Sequence, residues 1–379
     1  AAQNTDLSGQ YQFSDNITAR AENQLSTNNA DITTASLILT AADLVLTETN
    51  VVADSTELVA DRDLSLSGTM KGNSLTARSG SDAQLSGEYV LSDTLSVTAG
   101  RDLIIDGVVA QAVNLMLNGD NLQAHNVMLG ADQAKLMANQ NLTISGSLTG
   151  NSLDLTASNV NMAGDYKLAD NLNIVVADKL TATDADFTTS DLNLAGNNIS
   201  AVNIDINAEA TSLIAKQNLN LSGSVSGNDL IVQAGSAEIN GSYSLADQLS
   251  VIAQSDITST TVSINANNLN LKADNITLDN LEVSAGSSYL NADKNISLTG
   301  AGSAPVISGD HLSVNAGTDI TLAHNGTHSS LTSTTGNFTI DNTSTTGQTN
   351  IQLGTDTDAT IFKILNNTGN TKLSVDGSG

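Results

Sequence analysis

The stretch NLTISGSLTGNSLDLTASN, residues 141–159, alternates apolar and polar side chains between short runs of Gly, Asn and Ser. Leu142 and Ile144 are two residues apart, and Leu153 and Leu155 repeat that spacing after the sequence GNS. A period of two predicts half-buried β-strands, because successive side chains of a strand point to opposite faces. The intervening Gly, Asn and Ser favour turns.

Three blocks of the same kind follow this stretch, at positions 160–178, 179–197 and 198–217. Two or three short strands in about 19 residues match one rung of a β-solenoid, whose rungs stack in parallel about 4.8 Å apart. We therefore predict an all-β parallel β-helix over residues 1–318, with about 16 rungs and a length of about 75 Å.

A longer repeat contains these rungs. The octapeptide SGEYVLSD at residues 86–93 has close copies at residues 8–15, 163–170 and 240–247. A second motif, DLSLSG at residues 63–68, returns in step with it, at positions 141–146, 218–223 and 295–300. Four rungs therefore form one long unit, with a period of 77–78 in the numbering. The residues shared by the octapeptides are predicted to be structural: Gly9, Gly87, Gly164 and Gly241; Tyr11, Tyr89, Tyr166 and Tyr243; Asp15, Asp93, Asp170 and Asp247.

Each repeated tyrosine is followed two residues later by an apolar residue, which lies on the same face of a strand. We expect an inward-facing pair that widens the core, with the aspartate closing a turn through its side chain. The alternative is an outward-facing ladder of tyrosines that stack on sugars. The apolar residues are Phe13, Leu91, Leu168 and Leu245.

The amino-acid composition limits the kinds of molecule that the chain is expected to bind. The chain has 13 basic and 40 acidic residues, a net charge of −27, which excludes a nucleic-acid reader that relies on a basic face. Cysteine and tryptophan are absent, Pro305 is the only proline, and no apolar run approaches the roughly 18 residues of a membrane span. We expect no cofactor and no membrane insertion, whereas binding of a divalent cation stays open.

Catalysis is not expected. The repeated aspartates would lie about 19 Å apart, whereas a glycosidase needs two carboxyl groups within about 10 Å of each other. Asp184 and Asp186 are closer, but no basic residue that could hold an acidic sugar is nearby in the sequence. His324 and His328 flank Asn-Gly, which favours a surface turn over a metal site. We therefore predict a non-enzymatic protein.

The repeat of about 19 residues is no longer recognisable in the sequence after about residue 318. Residues 319–379 are rich in Thr, Gly and Asn and are predicted to be a β cap over the last rung, or an assembly segment. The sequence ATIFKILNNTGNTKLSVDGSG, residues 359–379, resembles the strand-turn-strand stems of bacteriophage tail fibres. That resemblance implies that chains could pair or trimerise there.

The sequences SVTAGRDLIIDG, LTASNVNMAGDY and SVNAGTDITLAH resemble the repeats of filamentous-haemagglutinin-like exoproteins. The resemblance extends over about residues 1–320 and implies a secreted, right-handed parallel β-helix on a bacterial surface, exported by a two-partner route. The chain lacks the proline-containing secretion-domain motifs of that family. It is therefore expected to be a repeat portion of such a protein, or a different secreted solenoid that grew by similar duplication.

These observations favour an extracellular structural rod or adhesin shaft. One alternative is a subunit that self-associates into an extracellular filament. Another is a trimeric, phage-type fibre that binds carbohydrate, with a host-cell or glycan receptor as its partner. Ice binding is disfavoured, because the threonines do not keep the same position from block to block.

Overall fold

The structure is a computed structural model that describes residues 2–300, 306–309, 311–324, 330–333, 338–342, 349–351, 362–365 and 371–375. These residues form strands and contain no helix. The strands, β1 to β21 in chain order, are Ala2–Asp6, Gln10–Gln12, Asn16–Asn28, Asp31–Ala41, Asp43–Ala60, Leu64–Ser79, Ala83–Ala99, Asp102–Asp106, Val109–Gly196, Asn198–Ala253, Asp256–Ser259, Val262–Leu278, Leu281–Gly300, Val306–Gly309, His311–Ala316, Asp319–His324, Ser330–Ser333, Phe338–Asn342, Thr349–Ile351, Phe362–Leu365 and Thr371–Val375.

The chain is a β-solenoid of about 16 turns, which confirms the predicted fold class and number of rungs. Successive coils lie about 19 residues apart in the sequence, and their strands pair in parallel. Asp31 to Ala41 pair with Asn50 to Ala60 at a constant offset of one such coil. Strand β9 is 88 residues long and includes several corners of the solenoid, where residues such as Asn126 and Gly146 have positive φ.

Two compact units divide the chain, Ala1–Lys216 and Gln217–Gly379. This division does not coincide with the predicted boundary at residue 318, which stays a prediction. In the first unit the offset between paired residues is mostly 19 to 21. Leu44 pairs with Leu64 at an offset of 20, and Asn198 pairs with Lys179 at 19.

The core of the first unit consists of stacked columns of small aliphatic side chains. One column runs through five successive coils, and each of its members is at most 2% exposed: Leu44, Leu64, Ala83, Leu103 and Leu122. Burial of one such leucine contributes about 2 kcal/mol. The inward positions predicted for residues 141–159 are confirmed, because Leu142, Ile144, Leu153 and Leu155 are buried.

One corner of every coil in the first unit contains a residue with positive φ. Such residues recur every 18 to 20 positions: Gly9, Asn29, Glu48, Gly68, Gly87, Gly107, Asn126, Gly146, Gly164, Asp184 and Asn203. Glycine and asparagine adopt this conformation at low cost, which explains their spacing in the sequence. Gly68 pairs with Gly87. The DLSLSG motif and the octapeptide therefore place glycine at the same corner of successive coils.

The second unit begins with coils of the same length, and its later coils contain more residues. Val262 to Ala266 pair with Leu281 to Ala285 at an offset of 19. The offset rises to 24 between Ser287 and His311, to 26 between Leu312 and Phe338, and to 29 between Ile320 and Thr349. Extra residues thus enter the coils from about residue 299 onwards. The loop predicted at Pro305 lies outside the described residues.

Parallel pairing continues as far as Ile351, within the predicted cap segment. Beyond it, Phe362–Leu365 pairs with Thr371–Val375 in antiparallel orientation. These two strands agree with the strand-turn-strand pattern predicted for the sequence FKILNNTGNTKLSV. The intervening turn lies outside the described residues.

Candidate functional site

The repeated tyrosines face the core of the solenoid. Tyr89, Tyr166 and Tyr243 are each 1% exposed, whereas Tyr11 in the first coil is half-buried. Burial raises the pKa of the three buried phenols, because the ionised form would lose its hydration. The described side chains therefore confirm the packing interpretation. The alternative ladder of sugar-stacking tyrosines is wrong, because these rings are not accessible.

A hydrogen bond from each tyrosine closes its corner. The Tyr89 hydroxyl donates to the Ser86 carbonyl at 2.9 Å, and Tyr166 donates to the Ala163 carbonyl at 3.2 Å. Tyr243 and Tyr11 make the equivalent bonds to Asn240 and Ser8, at 3.1 and 3.2 Å. The positive-φ glycine lies between donor and acceptor in each copy. The tyrosine is therefore held over the turn that this glycine forms.

The number of residues between each repeated tyrosine and its partner in the next coil is larger than the usual 19. Tyr11 pairs with Ile32, Tyr89 with Ala110 and Tyr243 with Ile264, each at an offset of 21 in the numbering. At the same offset, the ring of Tyr166 lies against Phe187 with their centroids 5.5 Å apart. Each repeated tyrosine thus begins a coil about two residues longer than the usual 19.

The apolar residue two positions after the tyrosine is buried in three copies of the octapeptide and exposed in the first. Leu91, Leu168 and Leu245 are each 5% exposed, which confirms that they share the inward face. Phe13 is 53% exposed, so the prediction that it widens the core is wrong for the first copy. The physical difference is that the other three tyrosine coils have a preceding coil in the structure.

The repeated aspartates are exposed at the opposite end of the octapeptide. The carboxylate oxygens of Asp93 and Asp247 accept hydrogen bonds from the next coil, from Asn114 and Asn268, both at 3.1 Å. The prediction that these aspartates close their own turn through the side chain is therefore wrong for these two. At Asp15 and Asp170, the backbone carbonyl accepts a hydrogen bond from a threonine hydroxyl one coil later, Thr34 and Thr189.

Bonds from asparagine to aspartate recur over the outer surface. Among the described residues, eight examples show an aspartate that accepts a hydrogen bond from the side-chain amide of an asparagine one coil later. The pairs are Asp31–Asn50, Asp93–Asn114, Asp102–Asn121, Asp120–Asn139, Asp154–Asn173, Asp184–Asn203, Asp247–Asn268 and Asp256–Asn275. Neutral amides thus separate carboxylates that would otherwise stack about 4.8 Å apart.

Some of these pairs extend into ladders. Asn141 donates to the side-chain oxygen of Asn121 at 2.9 Å, and Asn159 donates to Asn141 at 3.3 Å. In the second unit, Asn295 donates to Asn275 at 3.0 Å, and Asn275 donates to Asp256. Sequence analysis missed this system. Its signal was an Asp followed by an Asn one coil length later, which becomes visible only when the rungs are aligned.

Among the described residues, three surface ion pairs also link successive coils. Arg62 pairs with Asp43, Arg101 with Asp82 at 2.9 Å, and Lys294 with Asp274 at 2.7 Å. The three cationic side chains are exposed and their aspartate partners are at least partly exposed, so each pair contributes little to stability.

Asp184 and Asp186, the closest acidic residues singled out in the sequence, lie at different places in their coil. Asp184 occupies a positive-φ corner and accepts a hydrogen bond from Asn203. Asp186 lies on the following strand and pairs in register with Asp205. In the part of the chain that the structure describes, no group of three or more His, Asp or Glu side chains is placed to hold a metal ion. His328 lies outside the described residues.

Two open grooves run along the outer faces of strands in the first unit. One, of about 470 Å³, is lined by Asp43, Asp63 and Asp82 together with Gln24 and Gln84. The other, of about 440 Å³, has a mixed lining in which amides and hydroxyls alternate with apolar side chains and a few charged ones. Its named side chains include Thr94, Ser96, Asn114, Met116, Gln133, Lys135, Ser152, Asp154 and Asn171. Across the described residues, no helix has the length and apolarity needed to cross a membrane.

No family model, curated protein or solved structure matches the chain.

Proposed function

We propose that this protein is a non-enzymatic structural shaft that holds a tip away from an anchor on a bacterial surface. The observation that carries the proposal is the parallel pairing of successive coils among the described residues of each unit, which in the second unit continues as far as Ile351. The run of paired residues from Asp31–Asn50 to Ala41–Ala60 illustrates it. Bending such a stack breaks several backbone hydrogen bonds together, so the stack resists bending.

The outer surface supports the same proposal. Several of its carboxylates accept hydrogen bonds from asparagines of the next coil, which reinforces the stack. The acidic balance of the sequence keeps copies apart in solution. Location outside the cell follows from the resemblance to secreted exoprotein repeats, and it is part of the proposal.

The proposal is tested by the length of single particles in electron micrographs. Deletion of residues 141–217 removes one long unit and joins Gln140 to Asn218, which restores the motif register. A shaft should shorten by about 19 Å, which is four coils at about 4.8 Å each. The matched control deletes residues 141–207 and breaks the register, so it should destabilise the fold. Globular particles, or no shortening after the in-register deletion, would contradict the proposal.

A second candidate function is glycan binding along the shaft. The polar groove around Asn114, Gln133 and Asn171 favours it, because amides and hydroxyls are the groups that bind neutral sugars. A glycan array screened with the intact chain tests this candidate. A bound glycan should lose affinity when Gln133→Ala is introduced and keep it when the exposed Gln123→Ala is introduced outside the groove. An array without signal removes the candidate.

A further inference from the structure

Four side chains in the second unit form a compact group on the outer face of two successive coils. Asn270 pairs with Tyr289, and Lys272 pairs with Asn291. The residues on either side of each member along its strand are buried, so all four side chains point outward. They occupy the corners of a rectangle of about 4.8 by 6.6 Å and are here called the Tyr289 quartet.

The stacking of the coils does not require the tyrosine and the lysine of this quartet. The buried leucines of these two coils have buried counterparts one long unit earlier. At the outward positions, however, Tyr289 corresponds to Ser212, and Lys272 corresponds to Ala195. The equivalent strands pair in the same register with these smaller side chains. Residues that only serve stacking recur in a repeat, so the tyrosine and the lysine are free to serve another purpose.

The side chain of Tyr289 lies on the surface among polar neighbours. It is 51% exposed, unlike the buried tyrosines of the octapeptides. Its neighbours in the preceding and following coils are Asn270 and Ser313. The ring therefore offers a single flat apolar surface with hydrogen-bonding groups around it, which suits a small ring with polar substituents.

The two asparagines of the quartet keep one donor group and one acceptor group available. The Asn270 amide donates to the Ser250 hydroxyl at 3.4 Å, so its side-chain oxygen remains as an acceptor. The Asn291 oxygen accepts a hydrogen bond from the Asn315 amide at 3.2 Å, so its own amide remains as a donor. Hydroxyl groups need both kinds of partner, because each can donate and accept.

Lys272 places a positive charge beside the ring. It is exposed, and the ion pairs found among the described residues do not include it. Asp274, two residues further along the same strand, is already paired with Lys294. The quartet contains no carboxylate, although the chain has 40 acidic residues. The charge of this surface therefore complements an anionic group on a ligand.

We propose that the Tyr289 quartet binds a pyranose ring that carries a carboxylate, such as a uronic acid residue of a glycan. The apolar face of the sugar stacks on the ring of Tyr289. Its carboxylate pairs with the ammonium group of Lys272. Its hydroxyl groups bond to the free oxygen of Asn270 and the free amide of Asn291.

Other classes of ligand fit the quartet less well. A cationic ligand would be repelled by Lys272, and a net charge of −27 repels nucleic acids. A protein partner needs an apolar patch larger than one ring. The quartet belongs to the second unit, whereas the groove around Gln133 belongs to the first. The inference concerns a local site and does not depend on the shaft function.

The test compares two sugars that differ only in the carboxylate, methyl β-D-glucuronide and methyl β-D-glucoside. Their binding to the full chain is measured by saturation-transfer difference NMR over a concentration series. The glucuronide should bind with a dissociation constant of about 1 mM. The glucoside should bind about threefold more weakly, because it lacks the group that pairs with Lys272.

Substitutions at two positions separate stacking from charge. Tyr289→Phe keeps the ring and should change the affinity for either sugar by less than about twofold. Tyr289→Ser introduces the residue of the equivalent coil and should weaken the binding of both sugars at least about fivefold. Lys272→Gln should lower the affinity for the glucuronide to that for the glucoside. Lys167→Gln is the matched control, since Lys167 is exposed on a strand of the first unit, and it should change neither affinity.

Three outcomes would overturn the inference. The first is the absence of saturation transfer to the glucuronide, and the second is equal binding of the two sugars by the parent chain. The third is a Tyr289→Ser chain that binds the glucuronide as tightly as the parent, because that result would place the sugar elsewhere. Each outcome leaves the length of the particles in electron micrographs unchanged, so it is distinguishable from failure of the shaft proposal.

Discussion

The side-chain amide of Asn121 donates a 2.8 Å hydrogen bond to the carboxylate of Asp102, one coil earlier in the sequence. Asp256 and Asn275 repeat this bond in the second unit at the same distance of 2.8 Å. A chain with 40 acidic residues thus places neutral amides beside carboxylates along its coil-to-coil contacts. Part of the acidic surface therefore takes part in contacts that stabilise the stack.

The substitution Asn121→Asp should remove the amide that now stabilises the carboxylate of Asp102. The amide donor is lost, and two carboxylates face each other, so the free energy of unfolding should fall by about 2 kcal/mol at neutral pH. Mutual repulsion raises the pKa of the new pair. The deficit is therefore present above the unfolded value of about 4 and disappears as the pH falls below it. Urea denaturation at pH 7 and pH 3 measures the effect.

Asn161→Asp is the matched control, because Asn161 is exposed and, among the described residues, makes no hydrogen bond to an aspartate of a neighbouring coil. It makes the same change in net charge. Equal losses of stability in the two variants would show that net charge, and not the pair with Asp102, is responsible.

The corner glycines are expected to differ in their tolerance of a side chain. Gly164→Ala adds a Cβ atom that would lie 2.0 Å from a carbonyl oxygen, at a residue whose φ is +104°. Gly9→Ala meets open space at a similar φ of +107°. Backbone strain costs about 1–3 kcal/mol in both, and the clash adds about 1–3 kcal/mol only at Gly164. Thermal unfolding of the two variants should separate these contributions; equal losses would contradict the close approach.

Glu48 occupies the corner where other coils have glycine or asparagine, at a φ of +48°. Glu48→Asn should raise the free energy of unfolding by about 0.5–1 kcal/mol, because asparagine tolerates this conformation better. Glu57→Asn is the control, since Glu57 is exposed within a strand and its loss changes the net charge equally. The expectation fails if both variants gain the same stability in thermal unfolding.

The buried tyrosines should make the protein sensitive to alkali. Burial raises the pKa of Tyr89, Tyr166 and Tyr243, so each is neutral in the folded chain when it would ionise in the unfolded chain. Their contribution is complete below the unfolded pKa of about 10 and is lost as the pH rises above it. Each tyrosine lowers the free energy of unfolding by about 1.4 kcal/mol per pH unit in that range.

Tyr166→Phe isolates one of these contributions. It should cost about 1 kcal/mol at neutral pH, because the bond to the Ala163 carbonyl is lost. Above about pH 10 the stability of the variant should fall less steeply than that of the parent chain. Denaturant titrations from neutral to strongly alkaline pH measure the two slopes. Parallel slopes would mean that Tyr166 is not protected from ionisation.

The sequence alone determined the fold. Alternation of apolar residues in the stretch that contains Leu142 and Ile144 predicted strands, and the recurrence of blocks of nearly equal length predicted stacked coils. Both patterns are local, so they can be counted along the chain. The repeated tyrosines also predicted a recurring layer of the core, because their spacing matched four coils.

Only the tertiary structure decided which residues meet across coils. Offsets between paired residues vary from 18 to 21 in the first unit, so no single spacing identifies Asn121 as the partner of Asp102 or Phe187 as the partner of Tyr166. The position of Phe13 shows the same limit. Its octapeptide predicts burial, but burial depends on a neighbouring coil, and contact with a neighbouring coil is a property of the assembled stack.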